Sequence, residues 1–264
     1  MNHVEYLTAA LALAGVVALA ARAARALSGS GAAAAAVVGA CALVAGWAWA
    51  VLLLAYFVAA TLLTRFRARD RMARTGGRLD KPGPRDAAQV LANGGVFAMA
   101  AFGYWLAPDP SWQAIGAGAL AASAADTWAT EVGTLARATP HSILDWRPVA
   151  PGTSGGVTGA GLSAGLAGAA FVAGIAAAVR WPGMASVAAL VGGVFGCLLD
   201  SLIGASLQAR RWCTSCDTVT EQRTHACGSP TEVRGGWPWL DNDGVNAVST
   251  LAGALMGATA TRYL

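Results

Sequence analysis

Eight long apolar stretches, separated by shorter polar ones, dominate this sequence. A bilayer core of about 30 Å needs about 20 apolar residues per helix. Hydrophobic residues make up 56% of the chain and charged residues 12%, about half the ~25% charge of a soluble globular protein. The pattern excludes a soluble enzyme and predicts an all-α, polytopic membrane protein with about seven or eight transmembrane helices in a single domain, residues 1–264. The spans are expected at residues 4–24, 31–46, 47–64, 87–106, 112–134, 157–179, 184–208 and 244–261.

The count is open because the stretch 31–64 fits either one long helix or a short helix followed by a full one. Basic residues indicate the orientation. No positive charge precedes the first stretch, whereas Arg22 and Arg25 follow it, so we expect an anchored helix and not a signal peptide. With the N-terminus outside, sixteen of the 18 Lys and Arg residues fall in cytoplasmic loops, as the positive-inside rule requires. The net charge of +4 is therefore interpreted as membrane orientation and not as nucleic-acid binding.

Three carboxylates, those of Asp126, Glu131 and Asp200, interrupt the apolar stretches. An acidic residue near a helix centre costs about 2.5–3.5 kcal/mol on the insertion scale, so each needs a reason. Asp126 and Glu131 are separated by about 140° on an ideal helix, and only a break or kink would bring both to one ion. The residues alone leave three interpretations: protonation or pairing with Arg, a proton or ion pathway, or a Mg²⁺ site for a phosphorylated ligand. The last is favoured because Mg²⁺ is usually held by carboxylates together with phosphates.

A glycine-rich segment, Pro-Gly-Thr-Ser-Gly-Gly-Val-Thr-Gly, leads directly into the sixth stretch. Gly152, Gly155 and Gly156 allow backbone N–H groups to converge. Thr153 and Ser154 add hydroxyls beside the positive end of a helix dipole. No Lys follows the glycines, so this is not a Walker A motif. The segment is either a phosphate-binding turn or an ordinary helix start, and the embedded carboxylates favour the first.

Polar residues also begin the fourth and the last stretches. Lys81 and Arg85, in the basic cytoplasmic loop 65–86, can pair with phosphate oxygens. Gln89 and Asn93 share one helix face, where embedded amides require hydrogen-bond partners. These two amides line a polar cavity or bind a neighbouring helix. Three polar residues open the last stretch: Asn242, Asp243 and Asn246.

The cytoplasmic loop 209–243 carries four soft metal ligands, Cys213, Cys216, His225 and Cys227. Four such ligands within fifteen residues suit a tetrahedral, structural Zn²⁺ with no open position for catalysis. A disulfide or redox pair and a metal-free loop are the alternatives. The disulfide is disfavoured because a cytoplasmic loop is expected to be reduced.

Five segments, in order and covering nearly the whole chain, resemble the DUF92 family of integral membrane proteins, the family of transmembrane protein 19 and phytyl-phosphate kinase. They are Gln-Val-Leu-Ala-Asn-Gly-Gly (89–95), Ala-Asp-Thr-Trp-Ala-Thr-Glu-Val-Gly (125–133), Gly-Thr-Ser-Gly-Gly-Val-Thr (152–158), Asp-Ser-Leu-Ile-Gly-Ala-Ser-Leu-Gln (200–208) and Asp-Asn-Asp-Gly-Val-Asn (241–246). The order Asp-Thr…Glu…Gly-Thr-Ser-Gly-Gly resembles, more distantly, the CTP-dependent polyprenol kinases and the phosphatidate cytidylyltransferases.

The resemblance implies an isoprenyl-phosphate kinase that transfers a phosphoryl group from CTP or ATP to a phytyl- or geranylgeranyl-like monophosphate, with Mg²⁺. A cytidylyltransferase or polyprenol kinase, and an ion-coupled transporter, are the alternatives. The family role implied for Asp126, Glu131 and Asp200 is to hold Mg²⁺, and that for Lys81 and Arg85 is to stabilise the transferred charge. Residues 152–156 would bind phosphates, and the other polar residues would complete the shell: Gln89, Asn93, Asn242, Asp243 and Asn246. The resemblance assigns no catalytic role to the Cys/His loop.

Overall fold

The computed structural model describes residues 3–76, 78 and 83–260, and this part of the chain is mostly helical. Eight of its helices match the predicted apolar stretches to within two residues at either end, so their positions are confirmed. A short helix, α4, lies in the basic loop. The helices are α1 (His3–Ala23), α2 (Gly29–Ala45), α3 (Trp47–Arg65), α4 (Ala68–Thr75), α5 (Ala87–Leu106), α6 (Pro110–Gly133), α7 (Gly159–Ala178), α8 (Gly183–Ser206) and α9 (Asn242–Ala260).

Four of these helices, α1, α3, α7 and α8, are long and apolar enough to cross a membrane by length and composition. Helix α2 is apolar but has 17 residues. Helices α5, α6 and α9 carry embedded polar residues that lower their mean hydropathy. Large apolar side chains such as Leu11, Leu62 and Leu255 are more than half exposed, as expected of surfaces that face lipid. The count of seven or eight spans stays a prediction.

The ambiguous stretch 31–64 is two helices that meet at Gly46. This residue has φ +123° and ψ 166°, a backbone conformation that is essentially restricted to glycine. Gly46 therefore ends α2 and lets α3 start in a new direction.

Helix α6 lies at the centre of the bundle and contacts α3, α5, α7, α8 and α9. Residues 116–125 are all buried, and all but Leu120 are small, which lets neighbouring backbones approach closely. A Cβ added at Gly192 of α8 would lie 2.3 Å from the carbonyl oxygen of Gly253 in α9, and one at Gly118 of α6 would lie 2.5 Å from the same atom. Direct backbone contact therefore joins α6, α8 and α9.

The longer loops gather at one end of the bundle, called here the loop end. The guanidinium of Arg65, at the end of α3, donates to the carbonyl of Ala24. Nε of Arg74 donates to the carbonyl of Thr134 at 3.1 Å. The N–H of Glu221 lies 3.3 Å from the carbonyl oxygen of Arg78. Four loops that the sequence predicts on one side of the membrane therefore lie together.

Short strands in two of these loops correct the all-α prediction. Strands β1 (His141–Ser142) and β2 (Gly156–Val157) pair antiparallel. Strands β3 (Arg210–Cys213), β4 (Thr218–Thr220) and β5 (Glu232–Gly235) form an antiparallel sheet in the order β4-β3-β5. The β-branched run Thr-Val-Thr of β4 favours an extended backbone, so the loop 209–243 folds into a sheet rather than remaining irregular.

Candidate functional site

Two of the three predicted carboxylates meet inside the bundle, near the loop end. The carboxyl groups of Asp126 in α6 and Asp200 in α8 are in hydrogen-bond contact. The hydroxyl of Ser249 in α9 lies 3.0 Å from Oδ2 of Asp200, as a donor. Two carboxylates in contact repel each other unless they share a proton or a cation lies between them. This acid pair is therefore a site for a proton or a cation.

The acid pair forms the floor of a cavity beneath the loops 134–158 and 207–241. The predicted glycine-rich segment forms the opposite wall. The cavity is lined by Asp126, Thr130, Asp200, Ser201, Gln208, Glu221, Asn242 and residues 152–158, among others.

The glycine-rich segment is held by its own turns and by α8. Gly155 has φ +72°, and a Cβ there would lie 2.3 Å from Cβ of Ala205, so only glycine fits. The N–H groups of Thr153 and Gly156 donate to the carbonyls of Ala150 and Thr153, at 3.1 and 2.9 Å. These two N–H groups therefore stabilise the turn and are not available to a phosphate.

The N-terminus of α7 borders the same cavity. Oγ1 of Thr158 caps this helix by accepting the N–H of Gly161 at 3.0 Å, and both residues line the cavity. The positive end of the α7 dipole therefore borders the cavity that contains the acid pair, and such an end favours anions. Of the two alternatives left open for this segment, the structure shows the helix start, and the phosphate-binding turn stays a prediction.

Two residues of the cavity wall were missed by sequence reasoning. The hydroxyl of Ser154 donates to Oε1 of Glu221, which adds a third carboxylate to the cavity. Gln208 is 3% exposed, and its Nε2 has no hydrogen-bond partner in the described part of the chain. The only signal for Gln208 was its place at the end of the segment 200–208. Glu221 gave none, because a charge in a polar loop is usually solvated.

Glu131 lies apart from this cavity. Its Oε2 forms an ion pair with Nη1 of Arg71 at 2.5 Å, and the two side chains are only 12% and 10% exposed. Thr64 of α3 also hydrogen-bonds to Glu131. The separation of Asp126 and Glu131 around α6 explains why one of them faces α8 and the other faces α3 and α4. Pairing with Arg is one of the interpretations that the sequence left open.

Three of the polar residues predicted at or just before the start of α5 line a second cavity, called here the apolar crevice. The guanidinium of Arg85 lies 3.0 Å from Oγ1 of Thr61 and 3.3 Å from Oγ1 of Thr64. Nδ2 of Asn93 donates to the carbonyl of Gln89 at 2.9 Å. Arg85, Gln89 and Asn93 line the crevice together with apolar residues of α1, α2, α3 and α5, and they are not among the residues lining the acid-pair cavity. Lys81 lies outside the described residues.

The three polar residues of the last stretch divide between two environments. Asn242 lines the cavity of the acid pair. Asp243 and Asn246 are buried in the first turns of α9. The carbonyl of Asn246 accepts a hydrogen bond from Ser249, the residue that also contacts Asp200. The Ser249 hydroxyl is therefore shared between Asp200 and the Asn246 carbonyl, which places Asn246 next to the acid pair.

The Cys/His residues form a cluster of their own. One ligand atom from each of Cys213, Cys216, His225 and Cys227 lies within 4.8 Å of every other. Hydrogen bonds from Ser229 and His225 lower the pKa of the Cys227 thiol to about 5. None of the four residues is among those lining the cavity of the acid pair.

A helical bundle with an acid pair and a glycine-rich turn at one end defines an integral membrane protein with a polar site close to its loops. The profile of the family described as integral membrane protein DUF92 matches residues 12–254, and the chain belongs to this family.

Three individual proteins are also similar to most of this chain. Protein PGR of Arabidopsis thaliana is 30% identical over 281 residues, which covers 97% of this chain and 96% of PGR. An uncharacterized membrane protein of Methanocaldococcus jannaschii is 27% identical, covering 92% of this chain and 89% of its own length. An uncharacterized membrane protein of Synechocystis is 29% identical, covering 83% of this chain and 77% of its own length. No solved structure matches.

The placement of Glu131 makes a prediction about stability. Glu131→Gln leaves the Arg71 guanidinium without its counter-ion, and removing one partner of a buried pair costs about 3–5 kcal/mol. We expect a marked loss of thermal stability in detergent. Unfolding can be followed by circular dichroism.

The matched control is Asp70→Asn. It breaks the pair of Asp70 with Arg67, whose side chains are 53% and 58% exposed, and an exposed pair contributes about 0–1 kcal/mol. Equal losses of stability in the two variants would contradict this assignment.

Proposed function

We propose that this protein is a Mg²⁺-dependent isoprenyl-phosphate kinase that transfers a phosphoryl group from a nucleoside triphosphate to a prenyl monophosphate. The observation that carries the proposal is the contact between the Asp126 and Asp200 carboxyl groups beneath the glycine-rich turn. Proteins usually bind Mg²⁺ through one or two carboxylates together with the phosphates of a substrate, which requires carboxylate oxygens beside an anion site. The loop end is proposed to face the cytoplasm, where the nucleotide is available.

The donor set around the acid pair fits this metal and its phosphates. Asp126 and Asp200 supply carboxylate oxygens, and the Ser249 hydroxyl orients the Asp200 carboxylate. The amide of Gln208 and the N-terminus of α7 supply donors and positive dipole for phosphate oxygens. Magnesium, when bound, neutralises charge on the transferred phosphoryl group.

The chain's own residues position the reactants and stabilise charge. An anionic oxygen of the prenyl phosphate attacks the γ-phosphorus. The bond from the γ-phosphorus to the bridging oxygen breaks, and a nucleoside diphosphate leaves with that oxygen. No general base is needed because the accepting oxygen is already deprotonated, and positioning supplies most of the catalysis.

The lining of the apolar crevice is consistent with an acceptor substrate that has a long hydrocarbon chain. The crevice lies between α3 and the helices α1, α2 and α5, each of which contributes lining residues. Most of these residues are apolar, and Arg85, Gln89 and Asn93 supply its polar part. We place the prenyl chain in the crevice and its phosphate beside Arg85, because an apolar slot with one cation at its end complements an anionic amphiphile.

Tyr56 connects the crevice with the acid pair. Its ring lines the crevice, and its hydroxyl hydrogen-bonds with Ser123 and Thr127 of α6, the segment that carries Asp126.

The position of the site also favours an enzyme over an ion-coupled transporter. Carriers bind near the midplane with access from both sides, whereas this cavity lies under the loops at one end.

The kinase proposal predicts the effect of removing either carboxylate. Asp126→Asn and Asp200→Asn should lower formation of prenyl diphosphate by at least about a hundredfold. The reason is that metal-assisted charge stabilisation contributes several kcal/mol and each tenfold corresponds to about 1.4 kcal/mol. The assay uses purified protein, labelled CTP or ATP, and phytyl or geranylgeranyl phosphate.

Asp109→Asn is the matched control, because Asp109 caps the opposite end of α6 by accepting the N–H of Ser111 and Asn caps equally well. Its turnover should equal that of the wild type. Pyrophosphate release with a CMP-bearing lipid would assign cytidylyl transfer instead. Formation of no prenyl diphosphate with either nucleotide would remove the kinase proposal.

The crevice predicts a chain-length effect. Ala50 lines the crevice near the end opposite the loops. Ala50→Phe should raise KM for geranylgeranyl phosphate at least about tenfold, because each methylene kept from an apolar site costs about 0.8 kcal/mol. KM for the shorter geranyl phosphate should stay unchanged. Val51→Phe is the control, since Val51 is 40% exposed and does not line the crevice. An equal shift for both chain lengths would refute this placement.

A further inference from the structure

Two opposed turns bring the Cys/His cluster together. The first joins β3 to β4 and carries Cys213 and Cys216. The second is closed by the N–H of Gly228, which donates to the carbonyl of His225 at 2.8 Å, and it carries Cys227. The hydroxyls of Ser215 and Ser229 lie 2.8 Å apart and join the two turns. Four soft ligands from two hairpin turns therefore face one point.

The distances within the cluster match a tetrahedral metal site. Zn–S bonds of about 2.3 Å and Zn–N bonds of about 2.0–2.1 Å at tetrahedral angles place two sulfurs about 3.8 Å apart and a sulfur and a nitrogen about 3.5 Å apart. Sγ of Cys213 and Sγ of Cys227 are 3.6 Å apart, and Nδ1 of His225 lies 3.3 Å from Sγ of Cys227. A disulfide would need about 2.05 Å, and all five cysteines are free.

We propose that Cys213, Cys216, His225 and Cys227 bind one structural Zn²⁺ that fixes the β3–β4 hairpin against the turn at residues 225–228. Three thiolates and an imidazole select zinc over magnesium or calcium, which prefer oxygen ligands. With all four positions taken by side chains, the metal has no open position and only a structural role.

The hairpin connects this metal to the cavity of the acid pair. Cys213 pairs with Thr218 in the sheet, so the metal sets the register at the first residue of β4. Glu221 follows the last residue of that strand and accepts the hydroxyl of Ser154 in the glycine-rich turn. Zinc is therefore inferred to position Glu221 at the cavity wall, and this inference does not depend on the proposed reaction.

Metal analysis of the full-length protein tests the inference. Protein purified in detergent without chelator is expected to contain about one zinc per chain. Exchange with Co²⁺ should give a thiolate-to-cobalt charge-transfer band and the visible bands of a tetrahedral ion. Chelation should speed tryptic cleavage within the loop 209–243, because metal binding and folding of such a loop are coupled.

Cys216→Ser should weaken zinc binding at least about a hundredfold, whereas Cys41→Ser, in α2 and outside the cluster, should keep one zinc per chain. Wild-type protein that neither contains zinc nor gives the cobalt bands would overturn the inference, whether or not the variants fold. Full zinc retention in Cys216→Ser, or a Cys213–Cys227 disulfide in the mass spectrum, would also overturn it.

Discussion

The contact between the carboxyl groups of Asp126 and Asp200 is the constraint on which the rest of this structure depends. Two acidic side chains in an apolar bundle are unfavourable singly and repel each other together. Their pairing is therefore a stable feature only if a proton or a cation joins them. The packed helices, the turn above the pair and the nearby donors surround this arrangement.

Close helix packing makes the pairing geometrically feasible. Gly118, Gly192 and Gly253 bring the backbones of α6, α8 and α9 into direct contact. A Cβ at Gly196, one turn nearer to Asp200, would lie 2.5 Å from Cβ of Ala122. Short interhelical distances let short aspartate side chains meet, and the third helix contributes Ser249 to orient one of them. The small residues of these helices therefore allow the close packing and, through it, the contact between the two aspartates.

The sequence predicted the features that depend on local composition. Apolar length located the helices, and the cost of embedding a carboxylate singled out Asp126, Glu131 and Asp200. It did not predict that Glu131 would pair with Arg71, because that depends on where α4 docks. The partner of an embedded charge is set by tertiary contacts between distant segments, which periodicity does not encode.

The loop residues were the least predictable. Glu221 reaches the cavity because a three-stranded sheet folds the loop 209–243 back over the bundle, and an all-α expectation contains no such sheet. Arg85 shares the loop end with the acid pair but lines the apolar crevice instead. The sequence placed these residues on one side of the membrane, and only the fold divides them between two cavities.

The most direct test of the account is the position of a divalent cation. Mn²⁺, as a substitute for Mg²⁺, can be located by anomalous scattering from crystals of the wild-type protein grown with a non-hydrolysable nucleotide. The account predicts one strong peak coordinated by both Asp126 and Asp200 beneath residues 152–158. Crystals that bind Mn²⁺ and nucleotide elsewhere, with the two carboxyl groups still in direct contact, would contradict it.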